Sequence, residues 1–393
     1  TWLCSALSFA YLVCGIAANT RTASQFNRAN SNPLKLLFLS KRSPMERDLV
    51  ASPYGRFFYL PRYLAERGHE VTLLLLDYRN GEPVDRRRDG IRWISEPLAR
   101  RSPGRYPGRL RQLLRADRPD WVIGLSDTYF GILAQFYGHR YGIRSCIDAY
   151  DNYESYIPWL KPLHGLWRRA LSRADLVTAA GPALAQYMSG RRNGRPAIVV
   201  PMAADPAGFR PMDQAECRSR MGLPVDGRLI GYCGSLHRSR GVEVLFEAYA
   251  RLRETSPDIG LVLSGRQWGN VPVPESACSL GYIEDDKVPL LLNCMDTLAV
   301  INRDSAFGRY SHPVKLYEAM NCQVPVVVTA TAATEWILRD HPELLVPPGD
   351  AAALATRLAA ALERGRIAYL EVPNWQSACD AFERALLEPA QAV

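Results

Sequence analysis

The feature that most constrains this chain is a pattern that runs twice. Short apolar, β-rich runs alternate with amphipathic stretches, and the series is broken once by a proline-bearing interval. From Lys35 the first series reads LLFLS at 36–40, a loop through Ser52-Pro53-Tyr54-Gly55, a helical stretch closing at Gly68, and EVTLLLLD at 70–77. That sequence of elements is one βαβ unit. Gly68 suits the left-handed position after a helix, while Pro61 must either kink that helix or mark its real start. WVIGL (121–125), SCIDAY (145–150), DLVTAA (175–180) and AIVVPM (197–202) continue the strands. They are apolar enough for a parallel sheet covered on both faces.

Residues 203–226 hold Pro206, Pro211 and Pro224 and no sustained apolar run, as expected of an interdomain linker with one short helix. The alternation then restarts: RLIGYCG, a helix from Gly241, GLVLSG, SLGYI, a helix near 288–294, TLAVIN, a helix from Pro313, VPVVVT and LLVPP. Two doubly wound α/β units are expected, with a ligand in the cleft beyond the carboxyl ends of the strands. The boundaries predicted are 32–204 and 205–373, with a last helix in 374–393 that has no strand after it.

A chain of 393 residues, 47% hydrophobic and 22% charged, is long enough for two cores. Its nine cysteines are scattered, with no C-x-x-C pair and no Cys/His spacing of the kind zinc needs, which points to a reducing compartment. Net charge is +8, and arginines crowd one stretch: Arg86, Arg87, Arg88, Arg92, Arg100, Arg101, Arg105, Arg109, Arg111, Arg115 and Arg118. Such a stretch is either a solvated, partly helical surface or a face for an anionic membrane. No recognition motif accompanies the charge, so nucleic acid is not expected as a partner. Residues 2–18 (WLCSALSFAYLVCGIAA) are apolar and uncharged, at the lower limit of a membrane span. Arg21, Arg28 and Lys35 behind them favour keeping the rest cytoplasmic, and residues 1–31 are expected to be a leader or anchor outside the fold.

Two constellations carry chemistry. In GYCGSLHRSRGVEVLFEAY (231–249) an apolar strand ends on Gly234, a short basic loop follows, and a helix opens at Gly241. Glycines at a strand end admit a close ligand, free N–H groups at a helix start attract an anion, and Arg240 adds a two-toothed grip suited to a diphosphate. The loop is neither G-x-G-x-x-G nor a P-loop, so nicotinamide and NTPase chemistry lack their fingerprint. In NRDSAFGRYSHPVKLYEAMNCQVPVVVT (302–329), Ser311 and His312 stand as possible helix caps before Pro313. Lys315 and Glu318 share a helix face, as a surface ion pair or as a phosphate contact beside a ribose-binding carboxylate.

GSLHRSRGVEVL and SHPVKLYEAMNCQVPVVVT resemble the donor-site signatures of the retaining nucleotide-sugar glycosyltransferases of family 4, which have the GT-B fold. The likeness runs from Leu36 to about Leu387 and includes RGHEVTLL, RADLVTAAGPALA, PMAADPAGF and LLVPPGDAAALATRLAAAL. It implies two Rossmann-like domains facing across a cleft, the acceptor in the N-terminal one and the donor in the C-terminal one. By the same likeness Arg240 grips the diphosphate, Glu318 the ribose and the backbone at Gly281 and Tyr282 the base, while Gly234, Ser235, Ser311 and Lys315 line the donor side. Gly55, with Tyr54 and Arg56, matches the glycine loop that lets the first helix approach the donor phosphates. Asp151, from the group Asp148, Asp151 and Glu154 in CIDAYDNYESY, is the polar residue expected beside the reacting centre, with helix capping as the competing role.

Three positions depart from the family pattern. Its pair of glutamates eight positions apart would place the first at Tyr310, Ser235 stands where arginine is common, and Gln323 stands where glycine is usual. These departures resemble those of exopolysaccharide and cell-envelope members. The expected reaction moves a sugar from a nucleoside diphosphate donor to a saccharide or lipid-linked acceptor with retention, at the cytoplasmic side of a membrane. Arg240 and Lys315 would stabilise the leaving group. Tyr153, Tyr156, Trp159 and Trp167 suit either a lipid-linked acceptor or a protein core. Glu284-Asp285-Asp286 reads as a helix cap, and no metal or other cofactor is expected. An epimerase or hydrolase on the same fold, or a binding protein without turnover, is the alternative.

Overall fold

The computed structural model describes residues 32–98 and 104–388, and residues 34–388 belong to one compact unit. The expected leader at 1–31 and the arginines Arg100 and Arg101 lie outside the described residues. The first half builds β1 (Lys35–Lys41), helix α1 (Arg56–Glu66), β2 (Glu70–Asp77), β3 (Val84–Arg88), β4 (Ile91–Pro97), α2 (Arg105–Ala116), β5 (Trp121–Gly124), α3 (Thr128–Tyr141), β6 (Arg144–Ala149), α4 (Lys161–Arg173), β7 (Leu176–Ala179), α5 (Pro182–Ser189) and β8 (Ile198–Val199). These strands form a sheet of order β3-β4-β2-β1-β5-β6-β7-β8, parallel except where β3 runs against β4. The β3–β4 hairpin is absent from the expectation, which placed Arg86, Arg87 and Arg88 on a partly helical surface. Its turn is Asp89-Gly90, both with positive φ (54° and 74°), a tight hairpin turn that the dipeptide announces. The arginines of β3 line the free edge of the sheet, where charge discourages further strand pairing.

The alternation of side chains sorts the first core into two layers. Leu37, Leu39, Leu74, Ile94 and Val122 pack against α2 and α3, whereas Leu36, Phe38, Leu73, Leu75 and Ile123 face α1 on the other side. Helix α1 starts at Arg56, so Pro61 lies inside it instead of opening it. Tyr153 and Trp167 are core residues, while Trp159 is 76% exposed and Tyr156 41%.

The linker contains α6 (Gln214–Met221), capped by Asp213 through Glu216 N (2.8 Å). The second half follows with β9 (Arg228–Cys233), α7 (Val242–Thr255), β10 (Ile259–Ser264), β11 (Cys278–Ser279), α8 (Val288–Cys294), β12 (Thr297–Val300), α9 (Val314–Asn321), β13 (Val326–Thr329), α10 (Ala332–Ile337), β14 (Leu345–Val346) and α11 (Ala351–Leu362). Its sheet has the order β11-β10-β9-β12-β13-β14. The expected strand SLGYI shrinks to the two residues of β11, because the chain turns at Gly281 (φ 64°). Helix α12 (Trp375–Leu387) crosses back to the first half, where Trp375 stacks on Tyr59 (5.1 Å between rings) and Phe382 meets Phe38.

Candidate active site

The polar groups of interest collect where the carboxyl ends of the two parallel sheets face each other. On the C-terminal side β9, β10 and β11 end on glycines that splice together: Gly234 N donates to Ser264 O (2.8 Å) and Gly265 N to Gly281 O (2.8 Å). A Cβ on Gly265 would stand 1.9 Å from the Gly234 carbonyl oxygen, so this edge is bare backbone by necessity. Arg240 closes a short turn capped by His237, whose Nδ1 accepts from Ser239 N (3.1 Å). Its guanidinium donates to Asn302 Oδ1 (3.2 Å) just past β12 and lies 4.7 Å from the Phe307 ring. Lys315 Nζ donates to Glu318 Oε2 at 2.6 Å, one turn along α9. Both charges act on the Cys233 thiol at the end of β9, which burial pushes upward. β9 and β12 are neighbours, so Arg240 and the Lys315–Glu318 pair flank adjacent strand ends.

Ser311 and His312 do not cap α9: Pro313 holds that position, and no side-chain capping bond is made. Both are buried instead, and burial with the nearby Arg56 charge depresses the His312 imidazole to about 3, so the ring is neutral. Neither Glu284 nor its neighbours cap by side chain, and Asp285 pairs with Arg47 from the first half. Tyr282 is 55% exposed beneath the Arg266 guanidinium, which also reaches Glu46 across the cleft. Ser235 is exposed and lends its carbonyl to Tyr232 Oη (3.0 Å).

On the N-terminal side the three acidic candidates separate. Asp148 does not face the cleft. It takes a two-pronged grip from Arg56 (2.6 Å to each oxygen) and a bond from Thr178, both charges being 1% exposed. Arg56 is thereby spent inside the first half, since its remaining nitrogen donates to Val200 O and Pro201 O. Gly55 caps α1 with φ 57° and ψ −160°, and Tyr54 Oη is turned to Pro44 O. Glu154 is bound by Arg168 (2.7 Å) and faced by Arg191 (3.7 Å). Asp151 is buried, at 8% exposure. It makes no helix cap, it accepts from Tyr156 Oη (2.7 Å), and burial drives its carboxyl up to about 7 against the opposing pull of Tyr156 and Arg240.

Three features escaped sequence reasoning. Asn152 Nδ2 donates to Ala306 O (3.0 Å), and Tyr156 packs on Phe307 (6.0 Å), so residues 150–156 are seated on the loop after β12. Asn302 and Asn152, 3% and 4% exposed, each keep one side-chain atom without a partner among the described residues. At the ends of β1 and β5, Lys41 lies 3.6 Å from the half-buried Asp127, beside Ser126 with φ 73°. Ser126 is a non-glycine residue held in the left-handed region at a strand end, and no spacing in the sequence reveals it.

Comparison with known proteins follows this division. Residues 57–205 match the glycosyl transferase 4-like domain and residues 227–364 the glycosyl transferases group 1 domain. Among solved structures, sucrose-phosphate synthase from Thermosynechococcus elongatus superposes with a TM-score of 0.68 at 16% identity, covering 90% of this chain and 96% of that one. Anabaena HepE in complex with UDP-glucose gives 0.64 at 16% identity, with 91% and 95% covered. The chain has the GT-B fold. Among curated proteins it is 28% identical over 219 residues to TuaC of Bacillus subtilis, named for teichuronic acid biosynthesis, covering 51% of this chain and 54% of TuaC. It is 28% identical over 167 residues to D-inositol 3-phosphate glycosyltransferase of Stackebrandtia nassauensis, covering 38% and 37%. The matched stretch thus spans about half of the first of these curated relatives and less of the second. Tyr310, where the family resemblance expects a glutamate, packs its ring tilted against Tyr187 (5.0 Å between ring centres). Gln323 holds φ 59°, a left-handed backbone that glycine adopts without steric cost.

Proposed function

We propose that this chain is a nucleotide-sugar-dependent glycosyltransferase that passes the sugar, with retention, to a saccharide or lipid-linked acceptor in polysaccharide or cell-envelope synthesis. The observation that carries the reading is the meeting of Arg240 with the segment of Asp151 across the cleft, through Asn302, Phe307 and Tyr156. The reading gives Arg240 and Lys315 the charge that develops on the departing diphosphate, and fixed cations lower that barrier without reorganising. Glu318 takes the ribose hydroxyls, the backbone at Gly281 and Tyr282 the base, and Asp151 the proton of the acceptor hydroxyl. HepE, with UDP-glucose bound on the same fold, supports a nucleotide-sugar donor.

An anionic membrane surface as partner has support in the helix layer over the first sheet. Helices α2, α3 and α4 contain no Asp or Glu, yet expose Arg111, Arg115, Arg140, Lys161, Arg169 and Arg173. Trp159, Leu166 and Phe136 are exposed on the same elements or just before them. The deciding experiment incubates the protein with a panel of nucleotide sugars, with and without membrane extract. Label transferred into the lipid or saccharide fraction supports the proposal. Free sugar or an epimer favours a hydrolase or epimerase, and binding without product favours a protein without turnover.

A further inference from the structure

Asn302 and Asn152 are buried amides with half of their hydrogen-bonding capacity unused, and their orientations follow from their partners. Arginine only donates, so the Asn302 atom 3.2 Å from Arg240 is Oδ1, and the orphan is the donor Nδ2. A carbonyl only accepts, so the Asn152 atom 3.0 Å from Ala306 O is Nδ2, and the orphan is the acceptor Oδ1. Leaving such atoms unpaired inside a protein is costly, and natural structures keep few of them unless something visits the site.

The two amides belong to segments that the fold brings together. Asn302 follows β12 and holds the arginine assigned to the diphosphate; Asn152 follows Asp151, assigned to the acceptor. The loop between Asn302 and Phe307 touches both sides, through Ala306 O on Asn152 and through the Phe307 ring on Arg240 and Tyr156. Between a diphosphate and an acceptor lies the sugar that is moved. The side chain expected to hold its hydroxyls is a glutamate in relatives and Tyr310 here, and that ring is committed to Tyr187. A sugar hydroxyl accepts one hydrogen bond and donates another, which complements an orphan donor and an orphan acceptor.

Resting on the donor reading above, we propose that Asn302 and Asn152 read the hydroxyls of the transferred sugar in place of that carboxylate. The pair is uncharged and offers one donor and one acceptor, which matches a neutral pyranose with free hydroxyls as the donor class.

The test uses the full chain and titration calorimetry with matched ligands: UDP against UDP-glucose and UDP-galactose, and GDP against GDP-mannose. Asn302→Asp keeps an oxygen for Arg240, exchanges the orphan donor for an acceptor and adds a negative charge beside the guanidinium; Asn152→Ala removes the orphan acceptor together with the bond to Ala306 O. Asn152→Ala should bind the bare diphosphate within roughly twofold of the parent yet lose roughly tenfold for the sugar-bearing form, and Asn302→Asp, whose added charge weakens both ligands, should lose roughly tenfold more for the sugar-bearing form than for the bare diphosphate. Equal losses for both ligands would make the amides mere supports of Arg240 and overturn the inference, as would an unchanged sugar-bearing affinity. Asn302→Asp is near-isosteric and carries the test even where Asn152→Ala fails to fold. Should the parent protein bind no member of either series, the donor reading itself falls.

Discussion

Asp148 and Asp151 stand three positions apart in one acidic cluster, yet they end in opposite electrostatic situations. Asp148 is neutralised by Arg56, whereas Asp151 is buried with a phenol and a more distant guanidinium. A carboxyl raised to about 7 holds its proton more tightly folded than unfolded. Its stabilising contribution is therefore complete below the ordinary carboxyl range and is lost as pH rises through about 7. Activity that needs the ionised form should rise over the same range. Asp151→Asn should flatten that limb of the pH profile and lower kcat by about 10²-fold or more, while raising thermal stability at pH 8 relative to the parent. Glu318→Ala should weaken diphosphate-nucleoside binding by about tenfold or more, as expected when a charged partner of sugar hydroxyls is lost; unchanged affinity in calorimetry would remove Glu318 from the ribose. Gln323, held at φ 59°, makes an independent prediction: Gln323→Gly should stabilise the fold by about 1 kcal/mol in denaturant unfolding, with activity unaltered.

At the scale of elements, the decisive contact is the start of α5 against the segment entering α9. Gly181 meets His312 so closely that a Cβ there would lie 2.3 Å from Cε1 and 2.5 Å from Nε2, with Trp336 behind at 3.4 Å. Gly181→Ala should hold the two halves apart and cut kcat/KM by about tenfold with little change in circular dichroism. His312→Ala in the same chain should restore most of the loss, and a strictly additive double variant would refute the steric coupling. How far such relations can be read from sequence differs by element. β1, β2 and β5 are legible because each is an apolar run between turn residues. The Asp89-Gly90 hairpin was equally legible, but the arginines around it drew attention to charge. Arg56 sits in a loop that resembles a phosphate-approaching one, and its buried partner Asp148 lies 92 positions away, where no local pattern reports it.

For the whole molecule, the ion pairs Arg47–Asp285 and Arg266–Glu46 bridge the two halves, with Trp375 of the last helix returning to Tyr59. On the outer side, helices α2, α3 and α4 contain no Asp or Glu and expose several arginines. Such a face should bind vesicles containing phosphatidylglycerol and release them as salt screens the attraction. Charge reversal at Arg111, Arg115 and Arg169 should abolish cosedimentation while leaving diphosphate binding intact; binding that ignores salt or this triple change would exclude the electrostatic face.

Periodicity and turn chemistry by themselves determined the repeated βα alternation, the break between the halves and the strand ends where glycine must stand, because these depend on neighbours within a few residues. Which carboxylate stays protonated, which arginine is spent in a buried pair, and which amides are left with a free hydrogen-bonding atom were decided only by tertiary structure. Those properties arise from desolvation and from partners distant in sequence: Arg56 reaches Asp148 across the first half, and Asn152 reaches Ala306 between the two halves.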